Sequence, residues 1–298
     1  MTPPGVSAIV TAHARLEQTL TTISTLHACR PAPGEILVHV TAERDPIAEA
    51  IRAKFPAVRV LATDNAGPGG ARNALVAAAV HPIVASFDDD SYPMDGDYFG
   101  RLQSLFSAFP DATVVTARLF HLNDAVEPPR AVAEWGADFS GGACAYRRDG
   151  YLDVGGYVPL PDAYNMEEVD FALRLHAGGG KVLATAWLRV FHDTDLARHA
   201  EPSVTAASIT NLALLAYLRY PSALAGIGVA QCLNRIQWLV RHGRRRGVLA
   251  GLAGIPGQLW RHRHARRPLS AATLRSYLSL RRHPVPVPLA GIVTDAVE

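Results

Sequence analysis

Three consecutive carboxylates, Asp88, Asp89 and Asp90, end the apolar run 83–87, and Pro93 follows them. Carboxylates this close repel one another unless a cation joins them. A hard cation held by oxygen ligands, with a substrate's phosphates completing its shell, is the usual remedy. The end of a buried strand is also where open α/β sheets bind ligands. The triplet therefore reads as a metal–diphosphate site, against the plainer reading of a solvated acidic turn. A second acidic set, Glu167, Glu168 and Asp170, opens a helical run that the glycines 178–180 end. Carboxylates are favoured at a helix N-terminus. One of them aimed into a cleft would serve as a general base; the alternative is a well-capped surface helix, with Asp170 paired to Arg174 four residues on. His192 closes a short apolar strand, 188–191, and suits a metal, a phosphate or a structural role. Gly67, Gly69 and Gly70 precede Arg72 in a loop that allows close approach to a ligand. That loop lacks the Lys and Ser/Thr of a P-loop and the spacing of a dinucleotide fingerprint, so a plain connection to a helix also accounts for it.

The elements that must carry these groups alternate. Strands are expected at 6–10, 35–40, 58–62, 83–87 and 113–118. Helices are expected at 16–26, at 45–54 with Asp45 as N-cap and Pro46 in first position, and in the Ala-rich run after the glycine loop. Repeated β-α units imply an α/β fold with a mainly parallel sheet and helices on both faces. The 298 residues, 49% hydrophobic and 19% charged, suffice for a large core. Three distant cysteines, Cys29, Cys144 and Cys232, argue against a disulfide framework and for a reducing compartment. The N-terminus has no signal-peptide pattern. No uncharged apolar run reaches membrane-spanning length; the nearest, 212–233, is interrupted by Arg219 and Pro221. A cytoplasmic protein is expected.

Net charge divides the chain. Residues 1–201 carry 16 Lys+Arg and 25 Asp+Glu, a net −9. Residues 202–298 carry 13 Arg, no Lys and only Asp295 and Glu298 as acids, a net +11. A boundary is expected at 201–202, followed by a basic helical extension meeting an anionic partner. Leu252, Ile255, Leu259 and Trp260 lie beside Arg261, Arg263, Arg266 and Arg267, and Trp238 lies near Arg241 and Arg244. This pattern suits an anionic membrane surface at the inner face of the cell membrane. A plain helical cap or RNA binding are the alternatives, and no nucleic-acid partner is expected.

Taken in order over residues 5–195, these segments resemble glycosyltransferase family 2, whose members have the GT-A fold. The resemblance rests on the first strand and the loop Ala12–His13–Ala14–Arg15, on GPGGARN, on D-x-D-x-x-P at Asp88, Asp90 and Pro93, on residues 139–157, on EEVDFALR, and on the strand ending in His192. It implies residues 1–201 as the catalytic domain, with a nucleotide-sugar half at 1–95 and an acceptor half at 96–201. It implies an inverting transfer from a nucleotide-diphosphate sugar to a hydroxyl acceptor, a sugar or a lipid-linked sugar, with Mg²⁺ or Mn²⁺. Asp90 would ligate the metal, with Asp88 and His192. Ala12, Arg15, Gly69, Arg72, Asp88, Asp89, Gly141 and Gly142 would line the nucleotide-sugar site. Glu168, with Glu167 beside it, would deprotonate the acceptor.

The chain departs from the family pattern in three places. After the second strand no carboxylate appears until Glu43, which leaves the base open among uridine, guanosine and thymidine. Glu168 stands where Asp is usual, so Glu167 and Glu168 could exchange roles. Ala14 stands where a polar residue is common. A phosphatase of the haloacid-dehalogenase type also uses D-x-D after a strand, but nearer its N-terminus and with Thr or Val where Ser91 stands. A non-catalytic nucleotide-binding relative at the membrane is the remaining alternative.

Overall fold

The computed structural model describes residues 5–42, 45–63, 67–160, 166–194 and 201–289. The first half comprises β1 (Val6–Thr11), α1 (Leu16–Ala28), β2 (Glu35–Val40), α2 (Pro46–Lys54), β3 (Arg59–Ala62), α3 (Gly67–Ala78) and β4 (Ile83–Asp88). The four strands run parallel in the order β3-β2-β1-β4. Strand order reverses at β1 and β4, which opens a crevice at their C-terminal ends. Thr11 and Asp88 are in register there. Asp45 caps α2 as expected, accepting from the Ile47 amide at 2.9 Å.

Alternation along each strand splits the core between two faces. Val6, Ala8 and Val10, with Ile83, Ala85 and Phe87, meet Ile23 and Leu26 of α1 and Ile47 and Ile51 of α2. On the opposite face Ile9, Leu37 and Val84 meet Leu75 and Val76 of α3.

The second half comprises β5 (Ser91–Pro93), α4 (Tyr98–Ala108), β6 (Ala112–His121), β7 (Val132–Gly136), β8 (Ala143–Arg147), α5 (Arg148–Val154), α6 (Glu167–Ala177) and β9 (Lys181–His192). β8 enters antiparallel between β4 and β6, and β9 then runs parallel to β6. The short strand expected at 188–191 is the end of the longer β9. Residues 186–188 bulge out between the pairs Ala117–Thr185 and Arg118–Arg189, and this breaks the alternation by which a long strand is read. β5 pairs antiparallel with the end of β9, placing Ser91 opposite His192.

The extension comprises α7 (Pro202–Arg219), α8 (Ala225–Arg241), α9 (Val248–Arg261), α10 (Ala271–Arg282) and β10 (Val285–Pro288). It is not purely helical: β10 adds antiparallel to β7 and edges the sheet. Nor does it stand apart. Leu215 and Tyr220, with Leu274 and Tyr277 of α10, share a core with Ala172 and Leu173 of α6. Tyr277 donates to Asp138 at 2.8 Å, and Arg281 pairs with the same carboxylate at 2.6 Å. Among the described residues no helix is long and apolar enough to cross a membrane.

Candidate active site

β4 delivers the acidic triplet to the crevice, and each carboxylate has a different environment. Asp88 accepts from Thr11 at 3.2 Å and is paired with Arg72. It is the most open of the three, 28% exposed. Asp89 is buried. It accepts from the His13 amide at 2.9 Å and from Arg15, while Thr22 donates to its carbonyl at 2.9 Å. Burial pushes its pKa up to about 6, against the pull of Arg15. Asp90 is fully buried, and one of its oxygens is taken by Arg15. The other, Oδ1, accepts no hydrogen bond, although His192 Nε2 lies 3.1 Å away. Burial lowers the His192 pKa, but the Asp90 and Asp88 carboxylates outweigh it and hold the imidazole above its ordinary value.

The pairing of β5 with β9 explains why His192 is there. Ser91 sits opposite it, and the Asp193 amide donates to the Asp90 carbonyl at 2.7 Å. His121, in register with His192 on β6, brings its ring to 5.4 Å from the His192 ring. No local pattern marks His121, since its position depends on a register between strands about 70 residues apart. Thr11 and Ser91 were equally unmarked. Ser91 accepts from the Asp88 amide and donates to the Gly142 carbonyl, both at 2.7 Å.

Arg72 joins this set to the second. It is buried, sits between Asp88 and Glu167, and approaches Glu167 Oε1 at 3.7 Å. Its Nε donates to Ser86 at 3.3 Å. Glu167 is buried at the first turn of α6, and its Oε2 has no hydrogen-bond partner. Burial raises its pKa well above the ordinary value, Glu168 adds to this and Arg72 opposes it. Glu168 is half-buried; burial raises its pKa too, while Arg72 and the Gly141 amide oppose the shift. The pair Gly141–Gly142 runs between the two acidic sets. A β-carbon on Gly142 would overlap Asp88 Oδ2, and one on Gly141 would meet Glu168 Oε1 at 2.8 Å. These glycines make room for the carboxylates themselves.

Several residues expected at the donor site have protein partners here. Asp89 is buried and anchors the first loop. Arg72 spends its guanidinium on Asp88, Glu167 and Ser86. Ala12 lies in the core, and its amide donates to the His39 carbonyl at 2.9 Å. Gly69 packs α3 against Tyr157, where a β-carbon would approach the Tyr157 Cβ to 3.0 Å. Arg15 is partly exposed at the crevice, bridging Asp89 and Asp90. Glu43 lies outside the described residues.

The Asp90–His192 edge fits a hard cation. The oxygen accepts no well-formed hydrogen bond and faces His192, and their 3.1 Å separation is close to that of two neighbouring ligands on an octahedral ion with bonds of about 2.1 Å. Among the described residues no three His, Cys, Asp or Glu side chains group to hold an ion. Asp88, committed to Arg72, does not join Asp90 and His192, so a substrate's phosphates would have to complete the shell.

A family model described as glycosyltransferase like family 2 matches residues 3–192. No curated protein sequence matches the chain. Among solved structures, GalNAc-T7 with UDP, GalNAc and Mn²⁺ superimposes with a TM-score of 0.58 at 13% identity, over 74% of this chain and 49% of that one. This chain thus spans about half of that protein's length. The mannosyltransferase PcManGT of Pyrobaculum calidifontis, with GDP-Man and Mn²⁺, has a TM-score of 0.56 at 16% identity, over 99% of this chain and 86% of that one. TarS of S. aureus has a TM-score of 0.54 at 17% identity, over 78% and 43%. At these identities the structures speak for the GT-A fold, and the family model speaks for descent. It sets aside the phosphatase alternative: the chain belongs to the glycosyltransferase-like family 2.

Proposed function

We propose that the protein is a divalent-metal-dependent, inverting glycosyltransferase that moves a sugar from a nucleotide diphosphate to a hydroxyl acceptor, in envelope glycan or glycolipid synthesis. The observation that carries this reading is the meeting of two acidic sets across Gly141–Gly142. One ends in the buried Asp90 oxygen that faces His192, and the other begins α6. Asp90 and His192 would hold Mg²⁺ or Mn²⁺, which when bound neutralises charge on the departing diphosphate. The solved neighbours that contain Mn²⁺ favour the same assignment. Arg72 pairs with Asp88 and orients it to accept a hydrogen bond from the donor's ribose. Glu168, at the more open side of α6, takes the acceptor's proton as its oxygen attacks the anomeric carbon. Attack opposite the leaving diphosphate inverts that centre.

The test is a thermal-shift panel of UDP, GDP and TDP and their sugars, with and without Mn²⁺, on the wild type and on Asp90→Ala. A ligand bound only by the folded state raises its stability. The expected result is metal-dependent stabilisation by one base, lost together with transfer in Asp90→Ala. Undiminished turnover and metal affinity in that variant would overturn the assignment.

A further inference from the structure

α8 and α9 flank α7, and each leaves an apolar stripe uncovered. On α9, Leu249, Leu252, Ala253, Pro256 and Trp260 recur every three or four residues and so share a face. Leu249 is 81% exposed and Trp260 69%. On α8, Val229, Leu233 and Val240 form a second stripe, the first two each 61% exposed. Singly exposed apolar residues are ordinary; two such stripes on successive helices mark an interaction surface.

Its charge says what it meets. Exposed Arg245 and Arg246 precede α9, and Arg261 ends it. Arg263 follows, its guanidinium 3.8 Å from the centre of the Trp260 ring. From Pro202 to Thr294 the sequence has no acid to neutralise them. The partner must therefore accept aliphatic side chains and offer anions around them. Single-stranded nucleic acid offers anions but binds through stacking on aromatic rings, which Leu249, Val229 and Leu233 cannot supply. A bilayer rich in anionic lipid offers both. At 14 residues α9 is about 21 Å long, short of a hydrocarbon core of about 30 Å, so it lies in the interface.

We propose that α8 and α9 seat the protein on anionic membranes, with the α9 stripe inserted and the flanking arginines at the headgroups. Arg266 is excluded from this role, because it donates to the Tyr217 carbonyl and stacks on the Tyr217 ring. The proposal concerns binding and does not depend on the sugar-transfer reading.

The experiment uses the full chain with vesicles of phosphatidylcholine alone and of phosphatidylcholine mixed with phosphatidylglycerol. Sedimentation should show binding to the mixed vesicles and little to the neutral ones. The triple substitution Arg245→Gln, Arg246→Gln, Arg261→Gln should weaken binding about fivefold per arginine. Leu249→Asp should weaken it at unchanged circular dichroism. Trp emission should shift to the blue on binding, and less so in Trp260→Phe. Equal binding to both vesicle types, or none, would overturn the proposal. So would vesicle binding that survives both the triple substitution and Leu249→Asp. Self-association abolished by Leu249→Asp without vesicle binding would assign the face to a second copy, and tighter binding to single-stranded RNA would assign it to nucleic acid.

Discussion

At the scale of single residues, Glu167 and Glu168 are neighbours with different tasks. Glu167 is sealed beneath Arg72, whereas Glu168 is half-buried beside the Gly141 backbone. Glu168→Gln should retain donor and metal binding and lose about 10²-fold or more in transfer at saturating donor. Glu167→Gln should lose less. Burial raises both pKa values, so a base that must be ionised should give kcat/KM an acidic limb above the ordinary glutamate range. A limb at or below that range would remove Glu168 as the base. Stability follows from the same shift. Below the ordinary glutamate pKa both folded and unfolded states are protonated. As pH rises from there toward the raised folded value, the unfolded chain releases protons first and the fold loses stability. Glu167→Gln escapes that loss, so the apo variant should be more stable than wild type near neutrality. The advantage should shrink toward pH ~4 in urea titrations. The residue types of this site were legible because the acidic strand end and the acidic helix start, each ordinary alone, occur in order with the other segments of the family pattern. Their partners were not: Arg72 faces inward to Asp88, and Arg15 holds Asp89 and Asp90, through contacts spanning 16 and about 75 residues of sequence.

At the scale of elements, α6 carries both glutamates and is held from outside the crevice. Asp170 pairs with Arg174 at 2.9 Å, as the four-residue spacing suggested. Its second partner is Arg219, at the end of α7, with Nε 2.5 Å from Oδ1 and Nη2 3.2 Å from Oδ2. Arg219 also donates to the Ala265 carbonyl at 3.1 Å, so one buried guanidinium ties α6, α7 and the segment after α9 together. Position 219 counted in the sequence only as an interruption of an apolar run, since nothing local indicates an acid 49 residues upstream. Removing Arg219 leaves the buried Asp170 carboxylate with Arg174 as its one charged partner among the described residues. Arg219→Met should therefore cost about 3 kcal/mol in denaturant unfolding, and adding Asp170→Asn should restore part of it. Strictly additive losses would mean that the pair does not act as a unit. The β-α alternation of the first half was read correctly from period and caps. The end of the sheet was not, because β9 bulges and β10 returns from the far end of the chain.

At the scale of the whole molecule, the charge asymmetry suggests a boundary near residue 201 between a catalytic domain and a basic helical extension. Charge reports the surface, and the two surfaces do differ. The interior is continuous, because α7 and α10 pack their apolar sides against α6 and β10 completes an edge of the sheet. Such contacts hide from a count of arginines and acids: Leu215, Leu274 and Tyr277 look the same in sequence whether they face lipid, solvent or α6. A chain cut after Glu201 would uncover Ala172 and Leu173, strip Asp170 of Arg219, and remove Tyr277 and Arg281 from Asp138. The expected outcome is a fragment that aggregates or unfolds without a cooperative transition, although it contains every proposed active-site residue. A cut after His283, which removes β10 but keeps α7 to α10, should leave a folded protein with a smaller loss, since an edge strand, its pairing to β7 and the core contacts of Val287 and Leu289 are given up. Gel filtration and urea unfolding of the two fragments distinguish these outcomes. Cooperative unfolding of the shorter fragment at near full-length stability would show that residues 1–201 fold alone and that the extension serves only the surface it presents.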